Sequence, residues 1–335
     1  MGDSPKSGSS EVISAKGEPT EDKKEENKRL IPPFVGFGIL CCIFSSVMVA
    51  LNSLVVKMIS SIDAIQITAS RCYVQLLILL PFATYRTCTT GQSFVGPKGS
   101  FWFLVLRGLA GSTGAMCEHQ AIVRLPVGDA VTISFTNTIF TMLFACLCLG
   151  ESLTILDGFL CVLTLTGVFL MAKPPFLMGT AEFDTEVLIG ILFGITRAVL
   201  LAITYIIVRK LARTPPMLNI IYYSIIGSIT TTILTAATGS FRFPCWSDLP
   251  FVFVMGLIGV LGQLGMTIGL KYERAGTFSV VRAFQIVLIF ILQVIVLHDI
   301  PTTLSLIGAS LIFATVLIIA VRKLYNQKRK SNKSD

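Results

Sequence analysis

Six ionisable side chains lie within long apolar segments of the sequence, and their chemistry gives the first indication of function. They are Arg71, Arg107, Arg197, Arg282, Glu118 and His119. A charged side chain at bilayer depth costs at least ~2.5 kcal/mol on insertion scales, so it faces a partner or a water-filled cavity. Guanidinium groups bind carboxylate and phosphate groups through two parallel hydrogen bonds. Four arginines against one glutamate therefore predict a positively charged cavity that favours a small organic anion.

The six side chains do not all suggest the same role. Arg107 lies near one end of its apolar segment, where a long side chain can reach the interface, so we predict an interfacial anchor there. For Arg71, a structural pairing with Glu118 or a helix-end carbonyl and a role in substrate binding are equally compatible with the sequence. Glu118 and His119 are candidates for a proton or charge relay, although a satisfied interfacial histidine is the more common role for a residue placed like His119.

A wider set of polar residues is predicted to bind the substrate. Arg282 and Gln285 are three residues apart and therefore share a helix face. Tyr223 is part of an aromatic stretch that also fits an interfacial belt. The complete predicted set is Arg282, Gln285, Arg197, Arg71, Asn137, Ser134, Gln263 and Tyr223.

Other classes of function find little support in the sequence. No GxSxG, Walker or HExxH motif is present, so we expect neither an enzyme nor a cofactor. Cys146 and Cys148 lie in an apolar run without a histidine spaced to complete a metal site, so no metal is expected. The net charge of +8 is not arranged as a basic stripe with interleaved aromatics, which argues against a nucleic-acid partner.

The elements that carry these residues are predicted to be transmembrane helices. The chain is 53% hydrophobic and only 14% charged, with a mean hydropathy of +0.78. A bilayer core is crossed by ~20 mostly apolar helical residues. Stretches of this kind occupy residues 34–56, 64–85, 101–123, 128–149, 153–172, 187–208, 217–238, 250–270, 275–297 and 302–321. The sequence therefore predicts an all-α membrane protein with ten transmembrane helices, of which the Thr- and Ser-rich 217–238 is the weakest.

The distribution of Lys and Arg predicts the orientation. Most of those near the helix ends fall on one side when alternate loops are grouped, and this positive side is normally cytosolic. Both termini are then cytosolic: a disordered charged tail at 1–32 and a basic tail at 322–335. The Asn332-Lys-Ser sequon is expected to stay unglycosylated. We predict a plasma membrane or endoplasmic reticulum/Golgi location, and the sequence does not decide between them.

An internal duplication divides the helices into two sets. Gly108, Gly111 and Gly114 align with Gly256, Gly259 and Gly262 at a constant offset, and further residues follow the same offset. Small residues at this spacing let helices pack closely in lipid, and Gly265 extends the second stripe. The predicted halves, 33–173 and 187–321, each hold five helices. Because five is odd, the second half enters the membrane in the opposite orientation, an inverted repeat typical of secondary transporters.

Two sequence runs resemble a known family. GDAVTISFTNTIFTMLFACLCLGESLTILDGFLCVLTLTGVFLMAKPPFL (128–177) resembles the end of an EamA-type module of the drug/metabolite transporter superfamily, with its acidic Glu151 and its glycines Gly158 and Gly167. SFVGPKGSFWFLVLRGLAGSTGA (93–115) is similar to the G branch of solute carrier family 35. The resemblance implies a ten-helix carrier. The fourth helix of this family often carries a proline, whereas Thr138 occupies the matching position here, so a proline hinge is in doubt.

The residues and the resemblance together favour a secondary-active transporter of small, anionic organic metabolites that works by alternating access. A nucleotide-sugar antiporter of the secretory pathway and a non-transporting membrane scaffold or regulator are the alternatives. The expected partners are a small anionic substrate and the lipid bilayer, and a homodimer is left open.

Overall fold

A computed structural model describes residues 36–58, 64–90, 99–125, 127–172, 185–237, 239, 246–297 and 303–331. All regular secondary structure in these ranges is α-helical. The predicted N-terminal tail lies outside the described residues. Most of the predicted basic C-terminal tail continues the last helix as far as Ser331.

The helices are numbered in chain order. They are α1 (Phe37–Met58), α2 (Ala64–Thr90), α3 (Phe101–Arg124), α4 (Val127–Phe135), α5 (Asn137–Leu149), α6 (Ile155–Ala172), α7 (Thr185–Lys210), α8 (Pro216–Ala237), α9 (Leu249–Tyr272), α10 (Ala275–Arg282), α11 (Phe284–Leu297) and α12 (Thr303–Ser331).

Six helical segments are long and apolar enough to cross a membrane. They are Gln66–Tyr85, Thr132–Leu149, Thr185–Lys210, Pro216–Ala237, Leu249–Tyr272 and Thr303–Lys323. Three shorter apolar segments are Phe37–Ser53, Ile155–Met171 and Ala275–Ile289. Helix α3, which carries Arg107, Glu118, His119 and Arg124, belongs to neither group. The all-helical membrane class is thus confirmed.

Helix α8 shows how a hydroxyl-rich sequence can form a helix in lipid. Thr231 Oγ1 donates to the carbonyl of Gly227 at 2.5 Å, and Thr235 Oγ1 donates to that of Thr231 at 2.8 Å. Thr230 does the same toward Ile226 at 2.8 Å. Because these hydroxyls bond to the preceding turn of their own helix, they are not left unsatisfied in an apolar environment. The weakest predicted stretch is therefore an apolar helix.

Two predicted helices are each broken near their middle. The stretch 128–149 divides into α4 and α5 at Thr136, whose amide and hydroxyl both donate to the carbonyl of Ile133, at 3.1 and 2.6 Å. The stretch 275–297 divides into α10 and α11 at Ala283, whose amide donates to Val280 at 3.1 Å. Bonds to the third preceding residue tighten the turn and locally replace the α-helical pattern. The fourth helix is thus interrupted without a proline.

The two sets of helices pack in matching ways. Helix α1 packs against α9 and α11, just as α7 packs against α3 and α5. Helix α3 contacts α8 as α9 contacts α2, while the pairs α2–α8 and α6–α12 each join corresponding helices. Each contact made by a helix of the first set is therefore matched by a contact of the corresponding helix in the second set. The arrangement is that of two similar halves whose helices interleave.

The repeated glycines lie at these contacts. A Cβ on Gly108 would stand 2.5 Å from Ile226 Cδ1 of α8, and one on Gly265 would stand 3.0 Å from the carbonyl oxygen of Cys41 in α1. Gly256 faces Val74 of α2 in the same way. The larger side chains of other residues would separate these helices, so both stripes occupy close helix–helix contacts.

Ion pairs connect helix ends at the two ends of the bundle. At one end, Arg209 Nε lies 3.5 Å from Glu151 Oε1, and the Ala275 amide donates to both oxygens of that carboxylate at 3.1 and 3.3 Å. At the other end, Arg124 Nε lies 3.1 Å from Glu186 Oε2. The start of α10 therefore lies beside the ends of α5 and α7, whereas the end of α3 lies beside the start of α7.

Candidate functional site

Arg282 lies at the second helix break and connects three helices. Its Nε donates to Gln285 Oε1 at 2.9 Å, and its Nη1 donates to Ser45 Oγ of α1 at 2.8 Å. Ser45 in turn donates to the carbonyl of Gly262 in α9 at 2.7 Å. The last residue of α10 thus presents a guanidinium group toward α1 and α9, and the acceptors of its hydrogen bonds among the described residues are neutral oxygens.

Arg197, near the middle of α7, pairs with Glu118 of α3. Its Nε and Nη2 lie 3.1 and 3.0 Å from the same oxygen, Glu118 Oε2. The Arg197 side chain is 15% exposed and that of Glu118 is 41% exposed, so the carboxylate is the more accessible member of the pair. Gly114 makes room for this arrangement, because a Cβ there would lie 3.3 Å from Arg197 Nη1.

Arg71 does not form the structural pair with Glu118 that the sequence allowed. Its Nη2 donates to the hydroxyl of Tyr223 in α8 at 2.8 Å instead. Glu118 is bonded to Arg197. Tyr223 is 3% exposed, so it belongs to the interior rather than to an interfacial aromatic belt, and that alternative is wrong.

Arg107 is not an interfacial anchor, and this prediction is wrong. The residue is 1% exposed, its Nη2 donates to Gln263 Oε1 at 2.7 Å, and its guanidinium lies 4.6 Å from the centre of the Tyr223 ring. It can turn inward because Gly111, one helical turn later, carries no side chain in its path. The aromatic ring and the amide oxygen provide the attraction that water would provide at the interface.

Tyr205 lies near these charged groups, although the sequence did not predict it as a site residue. It is 1% exposed, and its ring meets that of Phe278 edge-on at a centroid distance of 5.3 Å. It lies within electrostatic range of Arg282, Arg197 and Glu118. Its position two turns after Arg197 on α7 was the available signal, since both lie on one helical stripe.

The remaining predicted residues have less defined surroundings. Ser134 and Asn137 lie on either side of the break at Thr136, as Arg282 and Gln285 lie on either side of Ala283. Asn137 is buried. His119 follows Glu118 directly, so the two side chains point in different directions around the helix and do not form a direct relay pair. Its Nε2 is buried and has no hydrogen-bond partner among the described residues.

The arrangement as a whole favours negative charge. Of the four interior arginines, only Arg197 forms an ion pair among the described residues. The same part of the chain contains no cluster of three His, Cys, Asp or Glu side chains that could hold a metal ion. Guanidinium groups with neutral partners can bind carboxylate or phosphate oxygens of a ligand, since each keeps donors available.

Comparison with known proteins identifies similar chains. A family model described as EamA-like transporter family matches residues 36–173 and 188–321. Solute carrier family 35 member G1 of Homo sapiens is 33% identical over 318 residues, which cover 93% of this chain and 86% of that protein. The protein of the same name from Mus musculus is 32% identical over 316 residues, 92% of this chain and 83% of that protein.

More distant matches extend over nearly the whole chain. A protein of Rickettsia conorii named S-adenosylmethionine uptake transporter is 24% identical over 305 residues, 89% of this chain and 95% of that protein. A chain of known crystal structure superposes with a TM-score of 0.74 at 17% identity, covering 86% of this chain and 99% of its own. At that identity the likeness shows a shared fold.

Proposed function

Because the chain belongs to the EamA-like transporter family, and is therefore a transporter of the EamA and solute carrier 35 type, we propose that it is a secondary-active carrier of small organic anions. In this proposal the anion binds between the two helix breaks, near Arg282, Arg197 and Tyr205, and the carrier works by alternating access. The observation that carries this proposal is the position of Arg282 at the α10–α11 break, where its hydrogen-bond acceptors in the described part of the chain are neutral.

The charge of the region supports an anionic substrate. Arg282 and Arg197 contribute two guanidinium groups, and Glu118 supplies the one carboxylate among these three residues. Burying charge without a counter-ion is costly, and a bound anion would offset that cost. S-adenosylmethionine, named for the rickettsial relatives, also has a carboxylate that an arginine could bind, but its sulfonium cation would be repelled by the positive surroundings.

The helix arrangement supports the alternating-access mechanism. We propose that ten helices cross the membrane as two inverted five-helix halves, 33–173 and 187–321, with both termini cytosolic. The breaks at Thr136 and Ala283 occupy corresponding places in the two halves, within one residue of the repeat offset. Broken helices at a repeat interface are typical places for substrate binding in secondary transporters. The interconversion of two similar halves would open the site alternately to each side.

The proposed topology predicts a specific glycosylation pattern. An Asn-X-Thr sequon carried on a long polar insertion between residues 174 and 183 should be glycosylated in mammalian cells, because this segment would face the lumen or the cell exterior. The native sequon at Asn332 should remain unmodified, because it would face the cytosol. Glycosidase-sensitive mobility on gels reports both sites. Modification of Asn332, or no modification of the inserted sequon in a folded protein, would contradict the inverted arrangement.

The proposed substrate class predicts a selective uptake profile. Purified protein in proteoliposomes should accumulate radiolabelled mono-, di- or tricarboxylates or phosphorylated metabolites with saturable kinetics, and unlabelled anion inside should accelerate this uptake. Protein-free liposomes provide the background. S-adenosylmethionine and a nucleotide sugar, the latter with vesicles preloaded with a nucleoside monophosphate, test the alternatives. Saturable uptake of only cationic or neutral solutes would refute the anion assignment, and uptake of no solute would favour a scaffold.

A further inference from the structure

A second group of polar residues is linked by hydrogen bonds of its own and contains side chains that are completely buried. It is formed by residues of α2, α3, α8 and α9 and is called the Tyr223 cluster here: Arg71, Gln75, Arg107, Tyr223, Ser224 and Gln263. Gln75 and Ser224 are both 0% exposed, and Arg107 is 1% exposed. Four helices from both halves of the chain therefore enclose a polar interior.

The hydrogen bonds within the cluster leave donors without acceptors. Tyr223 Oη accepts from Arg71, Gln263 Oε1 accepts from Arg107, and Gln75 Oε1 accepts from Ser224 at 2.9 Å. Buried donor atoms without a hydrogen-bond partner in the described part of the chain are Arg71 Nε, Gln75 Nε2, Arg107 Nε and Arg107 Nη1. Buried polar atoms are nearly always paired in native proteins, so this surplus calls for an acceptor.

The cluster also has an excess of positive charge. Neither Arg71 nor Arg107 forms an ion pair within the described ranges; both instead contact Tyr223, one through its hydroxyl and the other through its ring face. Two like charges in one buried region repel each other, and neither amide nor aromatic partners supply a negative charge. A ligand that satisfies both the donors and the charge must be an anion.

Two glycines allow the unpaired donors to pack closely against the helix backbone. A Cβ on Gly111 would lie 3.0 Å from Arg107 Nη1, and one on Gly259 would lie 2.5 Å from Gln75 Nε2. These glycines correspond to each other in the two halves of the sequence. A side chain at either position would displace an unpaired donor, so glycine at both positions allows these donors to occupy their buried positions.

We propose that the Tyr223 cluster is an anion-binding site, separate from the region around Arg282, that holds one halide ion or one carboxylate group. The bound anion accepts hydrogen bonds from Arg107 and Gln75 and neutralises part of the charge of Arg71 and Arg107. Since its donors come from α2 and α3, and its aromatic wall from α8, an anion here holds the two halves together.

The test measures anion-dependent stability of the purified full-length protein in detergent. Sodium chloride, sodium bromide and sodium acetate are titrated at constant ionic strength against a bulky sulfonate, and thermal unfolding is followed by fluorescence. Wild type should show a saturable rise in Tm. Arg107→Gln and Gly111→Ala should each weaken the apparent affinity about tenfold or more, since the first removes a charge-assisted hydrogen bond and the second displaces the Arg107 donor. Gly158→Ala, whose added Cβ would meet nothing within 4 Å, and the surface variant Arg274→Gln should titrate as wild type.

The outcomes separate the sources of the anion and the two proposals. Stabilisation by halides alone identifies a resident inorganic ion, whereas stabilisation by acetate identifies a site for the carboxylate of an organic solute. A Tm independent of all three salts, or identical titrations for wild type and Gly111→Ala, overturns the site. If Arg107→Gln fails to fold, the comparison between the anion titrations of Gly111→Ala and Gly158→Ala decides whether the site exists. The measurement requires no transport, so it stands even if the carrier proposal fails.

Discussion

Arg282→Gln should reduce saturable anion uptake in proteoliposomes to the level of protein-free vesicles. Glutamine can still hydrogen-bond toward Ser45 Oγ, but it lacks the charge that attracts an anion. A hydrogen bond to a charged group contributes about 1.5–3 kcal/mol, and the loss of two such bonds to a carboxylate would weaken binding by more than a hundredfold. Arg282→Lys keeps the charge but lacks the planar guanidinium that binds a carboxylate through two hydrogen bonds, so it should retain uptake with a raised KM.

The matched control for Arg282→Gln lies at the start of the same helix. Arg274 is exposed and donates one hydrogen bond, to the Ser152 carbonyl at 3.3 Å, so Arg274→Gln removes an equal charge outside the proposed site. Thermal unfolding and size-exclusion profiles of both variants should match those of wild type. Undiminished anion uptake by a folded Arg282→Gln protein, or equal losses in both variants, would mean that Arg282 does not bind the substrate.

The helical architecture could be predicted because it follows from local sequence. Apolar length alone located the segments, since a backbone in lipid must satisfy its own hydrogen bonds. The breaks within two of them could not be predicted in this way. No proline or glycine stands at Thr136 or Ala283, and each break depends on a local change of bonding to the third preceding residue.

The pairing of the interior charges was only partly predictable. Arg282 and Gln285 are three residues apart on the chain, so their shared helix face could be predicted from spacing, and the two side chains are hydrogen-bonded. Arg197 and Glu118 are far apart in sequence, and their pairing depends on how α7 packs against α3. Arg107 was misplaced because its direction is decided by Gly111 and by Tyr223 of another helix.

Glu118→Gln should lower the KM for the transported anion about tenfold. In the proposed mechanism the Glu118 carboxylate competes with the substrate for Arg197, since both need the guanidinium donors that now reach Glu118 Oε2 at 3.0 and 3.1 Å. Its removal frees Arg197 and makes the region more positive, and one charge-assisted hydrogen bond is equivalent to roughly a factor of ten or more. Tighter binding should also slow release, so the maximal rate should fall.

Substitution of the other member of the ion pair tests the direction in which the KM changes. Arg197→Gln leaves the Glu118 carboxylate without its partner and should raise the KM, so the two single variants should move in opposite directions in initial-rate uptake. Glu186→Gln is the matched control, because it removes a carboxylate from an ion pair with Arg124 at the end of the bundle, where the side chain is 64% exposed. Its KM should equal that of wild type. If Glu118→Gln instead raises the KM as Arg197→Gln does, the pair holds α3 against α7 and the substrate does not compete for Arg197.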